Sequence, residues 1–295
     1  MQESLILFTT LAVLVRIFSN AFSNVFQKQL LQKEQSALLI SFFTYLLLSI
    51  ACIPLVLKLG GFKFSMEFWL YSIVGGLAGA TGNAFLVKAL ERGELSVLGP
   101  INAYKSIIGI LTGMLLLQEY PNYVGLLGIL LIIGGSYFVL DTPDEPFSFR
   151  LFRKKEIQYR LLALVLTGIE AVFIKRVMLA SSTEWAFISW CFFGALFSLL
   201  LLLVLKIPVT TRIFNRKNGS LKLVGLLVVS VGAMQLSTIY VLDKMSVGYA
   251  LALFQLSIIV TVWLGHRIFG EANLQQKLIG SIIMLTGSVL ILLSK

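Results

Sequence analysis

Apolar residues along this chain gather into ten runs of about twenty positions separated by short polar stretches. Seven runs hold no charge: Ser36 to Leu57, Phe68 to Val87, Pro121 to Leu140, Trp185 to Leu205, Leu223 to Leu242, Met245 to Gly265 and Leu278 to Ser294. Three carry a charge near the centre: Leu5 to Gln27 with Arg16, Leu95 to Leu117 with Lys105, and Leu161 to Leu179 with Glu170. In the last of these, Lys175 and Arg176 must snorkel from the end of the span. A membrane helix needs roughly twenty consecutive apolar residues, whereas barrel strands alternate polar and apolar positions over about ten. The pattern predicts an all-α integral membrane protein with ten transmembrane helices.

Composition sharpens this picture. The chain has 295 residues, of which 58% are apolar and 13% charged, too few polar residues to cover a soluble domain of this size. The net charge of +10 lies between the apolar runs, not along one soluble face. It is read as membrane topology, and no nucleic-acid partner is expected. Cys52 and Cys191 sit within predicted spans and show no metal or disulfide spacing. The N-terminus carries Glu3 in place of a basic region and leads into a full span, so an uncleaved first helix is expected.

The two halves resemble one another. Placing Glu119 on Glu271, an offset of 152, pairs Gly128 with Gly280, Gly135 with Gly287, Ser136 with Ser288 and Asn83 with Gln235. Nearer the start of each half, "NVFQKQL" from Asn24 matches "AVFIKRV" from Ala171, an offset of 147. The expected organisation is a first five-helix repeat over 1–140, a polar linker loop over 141–160 and a second five-helix repeat over 161–295. Five spans per half place the halves in opposite orientations, an inverted-topology repeat of the kind secondary transporters use.

With five-plus-five spans, the run "NAFLVKALERGELSVLGPINAYKSIIGILTGMLLLQE" (Asn83 to Glu119) and its partner "TIYVLDKMSVGYALALFQLSIIVTVWLGHRIFGE" (Thr238 to Glu271) resemble the EamA family of the drug/metabolite transporter superfamily. Gln118-Glu119 stands where the second half has Gly270-Glu271 and the family has Gly-Glu. The resemblance implies a multi-pass protein of a cell membrane, such as a bacterial inner membrane. It further implies a permease working by alternating access, with export one direction open to it. It implies no substrate. Orientation stays open: loops after odd-numbered spans hold sixteen Lys and Arg against six on the other side, which places both termini outside the cytoplasm, while the resemblance implies termini inside.

The central charges carry the chemistry. A charged side chain at the middle of a membrane helix costs roughly 2.5–3.5 kcal/mol on insertion scales, so each should face a partner or a water-filled cavity. Arg16, Ser19, Asn20, Ser23, Asn24 and Gln27 form one polar stripe at helical spacing, and Asn102, Lys105, Ser106, Gly109, Thr112 and Gly113 form another. The candidate substrate-binding residues are Arg16, Asn20, Asn83, Asn102, Lys105, Glu170, Gln235 and Gln255. Ion pairing with Glu170 is the competing role for either cation, and interhelical hydrogen bonding for Asn83 and Gln235. Two cations and one carboxylate leave one positive charge, which an anionic group on the solute would complete. The planar guanidinium of Arg16 suits a carboxylate or phosphate. Glu170 would receive an ammonium group of a zwitterionic solute, or a proton if protons are the coupling ion.

The expected cavity is lined by spans one, three and four and by six, eight and nine, with five and ten at the periphery. Pro100 should kink the fourth span and free a carbonyl near Lys105. Glu119, Glu271 and His266 are expected at the interface, and Tyr104, Trp190 and Trp263 facing lipid or the interface, with packing on a substrate the alternative for these three aromatics. No enzyme is indicated: there is no HExxH, GxSxG or P-loop and no cofactor motif. The reading is a secondary transporter for a small polar metabolite, an organic anion or amino-acid-like solute. A channel or a structural membrane protein is the alternative. The expected partners are the solute and the lipid bilayer, with the chain a monomer or weak dimer.

Overall fold

The fold was obtained as a computed structural model, which describes residues 2–60, 63–105, 107, 122–140, 149–215, 219–244, 250 and 253–293. Glu119, Ser106, Gly109, Thr112 and Gly113 lie outside them. The described elements are helices joined by short turns: α1 (Gln2–Leu31), α2 (Ala37–Ala51), α3 (Ile53–Leu59), α4 (Met66–Arg92), α5 (Leu95–Leu98), α6 (Tyr123–Leu140), α7 (Lys155–Ala180), α8 (Thr183–Val204), α9 (Ser220–Lys244), α10 (Ser257–Phe269) and α11 (Leu274–Leu293). Among the described residues, seven helical segments are long and apolar enough to cross a membrane, with α2 and α3 counted together and α10 shorter. α7 has the length at 26 residues but carries six charged ones.

Helix boundaries follow local chemistry. Ser65 caps α4 by accepting the Phe68 N–H at 3.2 Å, and Ser182 caps α8 by accepting that of Trp185 at 3.3 Å. Pro54 at the start of α3 lacks the N–H that would continue α2 unbroken. α7 begins at Lys155, so the last six residues of the expected linker form its first turns, with Ile157 and Arg160 buried.

Two spans are interrupted. The fourth was expected as one kinked helix from Leu95. Instead α5 ends at Leu98, and Pro100 opens a turn of 3-10 helix through Ala103. Asn102 N–H reaches back to Gly99 at 3.0 Å, which leaves the Leu98 carbonyl free of the α-helical ladder. The ninth span is interrupted at Gln255 and Leu256, where Leu256 bonds Leu253 at 3.1 Å and Ile258 bonds Gln255 at 2.9 Å, again three residues back.

Helix pairing is reciprocal. α4 packs along α7 and α1 along α9, while α2 meets α8, α5 meets α10 and α6 meets α11. Exchanging each helix for its counterpart under the sequence repeat turns this set of contacts into itself. The glycines follow the same rule: a Cβ on Gly128 would lie 2.7 Å from the Gly287 carbonyl, and one on Gly135 would lie 2.7 Å from that of Gly280. Such reciprocity is what a two-fold relation between the halves would produce. It brings α6 and α11 together backbone against backbone, the close approach that small residues permit in membranes.

At one end of the bundle a polar cluster ties the halves. Glu271, in the turn between α10 and α11, accepts the N–H groups of Leu95 and Ser96, each at 2.7 Å, and pairs with Lys28 at 2.7 Å. It is thus a cap on α5 rather than the interfacial anchor expected. Lys28 also donates to the Gly93 carbonyl at 3.0 Å, and Lys277, almost wholly buried, binds Glu94 and Ser96. Lys28, Arg160 and Lys277 were read as loop cations. All three are engaged inside the fold.

Candidate functional site

A polar cavity of about 140 Å³ lies in the middle of the bundle, lined by α1, α2, α4, the broken fourth span, α7, α8, α9 and the segment before α10. Its volume suits a small solute and falls below that of drug-sized pockets. Spans one, three, four, six, eight and nine line it as expected, and residues of α6 and α11 are absent from its wall. Two further helices contribute: Thr44 and Tyr45 from α2, and Trp190 from α8.

Seven of the eight candidate residues meet here: Arg16, Asn20, Asn83, Asn102, Lys105, Glu170 and Gln235. Gln255 stands behind the wall, 2% exposed, exchanging hydrogen bonds with Asn102: it accepts from Nδ2 at 3.2 Å and donates to the Asn102 carbonyl at 3.4 Å. The helical stripe on α1 aims its members differently. Asn20 donates to Ser257 Oγ at 3.2 Å, Gln27 donates to Asn83 Oδ1 at 3.4 Å, and Asn83 donates to Ser41 Oγ at 3.0 Å. These bonds tie α1, α2, α4 and α10 around the cavity.

The charges do not pair with one another. Among the described residues, ion pairs join Lys28 to Glu271, Lys244 to Asp243 and Lys277 to Glu94, and none joins Glu170 to Arg16 or Lys105. Glu170 instead accepts the indole N–H of Trp190 at 2.6 Å. Its carboxylate fills the space that a side chain at position 79 would take, so Gly79 is what lets α4 lie against it. The Arg16 guanidinium lies over the Phe254 ring, 4.8 Å from its centroid, a cation–π geometry. Its Nε and Nη1 are buried without a hydrogen-bond partner among the described residues. Gln27 Oε1 and Gln235 Nε2 are in the same condition on the same wall. Buried donors and acceptors left unmade cost about 1–3 kcal/mol each, more for charged ones.

Sequence reasoning missed Arg160 and Trp190. Arg160 is buried and lines the cavity, donating from Nε to the Leu98 carbonyl at 2.8 Å and from Nη2 to Asn102 Oδ1 at 3.1 Å. Counting back from Glu170 in helical steps through Thr167 and Leu164 reaches it on the same face, a signal hidden by the neighbouring basic linker. Trp190 was expected toward lipid, but Glu170 draws its N–H inward. Trp263, by contrast, is 51% exposed on α10. Tyr104 turns from the cavity to Ser136 on α6 at 2.9 Å, and His266 sits at the end of α10 against the Glu271 carbonyl at 2.8 Å.

Comparisons with known proteins agree on the class of molecule. The profile of the EamA-like transporter family matches residues 7–141 and again 154–293. Two proteins named for sugar uptake, from Streptococcus pyogenes serotypes M1 and M3, are each 24% identical over 248 residues, covering 78% of this chain and 80% of their own. A crystal structure of another protein superposes with a TM-score of 0.64 at 15% identity over 97% of both chains, a likeness of fold alone.

Proposed function

Because the chain belongs to the EamA-like transporter family, we propose that it is a secondary transporter whose central cavity carries a small polar metabolite, an organic anion or amino-acid-like solute, by alternating access. It is a multi-pass protein of the cell membrane and a transporter, not an enzyme. The observation that supports the substrate reading is two unpartnered guanidinium nitrogens of Arg16, Nε and Nη1, beside Lys105, with Glu170, among the described residues, hydrogen-bonded to the Trp190 indole N–H rather than ion-paired. A carboxylate or phosphate on the solute accepts from the Arg16 guanidinium, and Glu170 receives an ammonium group or a coupling proton.

A neutral sugar is the second reading. It draws on the names of the streptococcal relatives and on the amides of Asn20, Asn83, Asn102 and Gln235, which suit hydroxyl groups. It leaves the Arg16 guanidinium without a charged acceptor, so the anionic solute is preferred.

A thermal-shift screen of metabolites on the purified protein, followed by counterflow in proteoliposomes, tests this. Stabilisation by acidic or zwitterionic solutes with saturable counterflow is expected. Stabilisation by neutral sugars alone supports the second reading, and linear flux indicates a channel.

A further inference from the structure

The two interrupted spans stand at corresponding places in the halves: under the offset of 152, Asn102 beside the first break matches Phe254 beside the second. An arginine from the first helix of the opposite half sits on each. Arg160 of α7 bonds Asn102 and the Leu98 carbonyl, and Arg16 of α1 lies over Phe254. The two arginines are thus related by the repeat to within one helical turn, yet they are used differently. At the first break the Leu98 carbonyl, left free because the Asn102 N–H turns to Gly99, and an amide oxygen occupy two N–H groups of Arg160. At the second, Phe254 offers only a ring face, and two N–H groups of Arg16 are left over.

We propose that Arg160 is a positioning residue: by holding the Leu98 carbonyl and the Asn102 side chain it keeps the fourth span broken and presents Lys105 to the cavity, while the Arg16 guanidinium is kept for the solute. This rests on reading the cavity as the solute site. Asn102 transmits the clamp further, since its amide nitrogen and carbonyl engage Gln255 at the other break. Leu98 is buried, so its carbonyl left unpartnered is costly, and removing Arg160 lets it take back the Asn102 N–H as residues 98–105 rewind toward regular helix. A helix advances 100° per residue, and rewinding a 3-10 turn rotates Lys105 off the cavity wall.

The test is a labelling experiment that needs no substrate. In a background with Cys52→Ser and Cys191→Ser, single reporters Lys105→Cys and Asn20→Cys are reacted in proteoliposomes with a charged, membrane-impermeant methanethiosulfonate reagent. With Arg160→Gln, labelling at position 105 is expected to slow about tenfold as the thiol leaves the aqueous cavity, while labelling at position 20 holds within about twofold. Arg160→Lys, which can still donate to the Leu98 carbonyl, restores most of the rate at position 105. Unchanged rates at both positions, or equal changes at both, overturn the proposal. Should Arg160→Gln fail to elute as a monodisperse protein, Asn102→Ala removes half of the clamp and carries the same expectations at reduced size. A cavity that moves no solute leaves these labelling rates as stated, so failure of the transport reading and failure of the clamp are separable.

Discussion

The contact between α4 and α7 and that between α1 and α9 join helices that correspond under the repeat, yet they are filled in opposite ways. In the first, Gly79 yields its space to the carboxylate of Glu170. In the second, Val231 stands at the position matching Gly79 and Ser23 at that matching Glu170. A glycine with a long acid is exchanged for a branched residue with a short hydroxyl. Helix pairing is therefore reciprocal while the side chains that meet the cavity are not. On the proposed function, backbone symmetry would supply the two related arrangements of alternating access, and side-chain asymmetry would concentrate charge for one solute.

Gly79→Val should break this comparison most completely. The added carbons collide with the Glu170 carboxylate, at an overpacking cost of about 1–3 kcal/mol, and transport should be lost together with thermal stability. Gly79→Val combined with Glu170→Ser copies the α1–α9 arrangement. It should regain the melting temperature but not the transport, which a thermal melt and a flux assay read separately.

Gly135→Leu strikes the α6–α11 contact, away from the cavity. It presses a side chain against the backbone of Gly280, and a lower melting temperature with unchanged solute affinity is expected, again within about 1–3 kcal/mol. An altered affinity would show that this pair is coupled to the site.

Arg16→Lys keeps the charge and removes the planar fork. Affinity for a carboxylate or phosphate solute should fall about tenfold, or 1.4 kcal/mol, with stability intact. An equal loss of stability would make Arg16 a structural partner of Phe254.

The smallest effect belongs to Glu271, outside the spans. Burial pushes its carboxyl up, but Lys28 and the Ser96 N–H outweigh that and hold it below its usual range. A carboxyl depressed by folding contributes stability above its unfolded value, near 4.3, and loses it as pH falls through the lower folded value. Melting temperature measured from about pH 6 down to pH 3 should therefore fall less steeply in Glu271→Gln than in the parent. Parallel curves would mean that this cap adds nothing measurable.

The apolar runs made the helices and the repeat legible, because a membrane helix must be continuous in sequence as well as in space. They also disclosed Arg16, Lys105 and Glu170, since an isolated charge inside such a run needs an explanation. The breaks were half legible: Pro100 announces the first, whereas nothing in "FQLS" from Phe254 to Ser257 announces the second. Arg160 escaped because it adjoins a basic linker, where a cation needs no special reason. Trp190 escaped because its one polar atom is silent in an apolar run. Gln255 was read as a substrate-binding residue, but it stands behind the cavity wall with its amide spent on Asn102, and pairing between distant spans is not written in either one.

The central claim is that the cavity charges meet a solute and not each other. Counterflow of an acidic solute identified by the thermal-shift screen should be measured for Lys105→Ala, Glu170→Ala and the double variant, each shown to be monodisperse. If the charges serve the solute, each single variant loses transport and the double variant stays inactive. Recovery of transport in the double variant would show that Lys105 and Glu170 exist to neutralise each other, and would contradict the account.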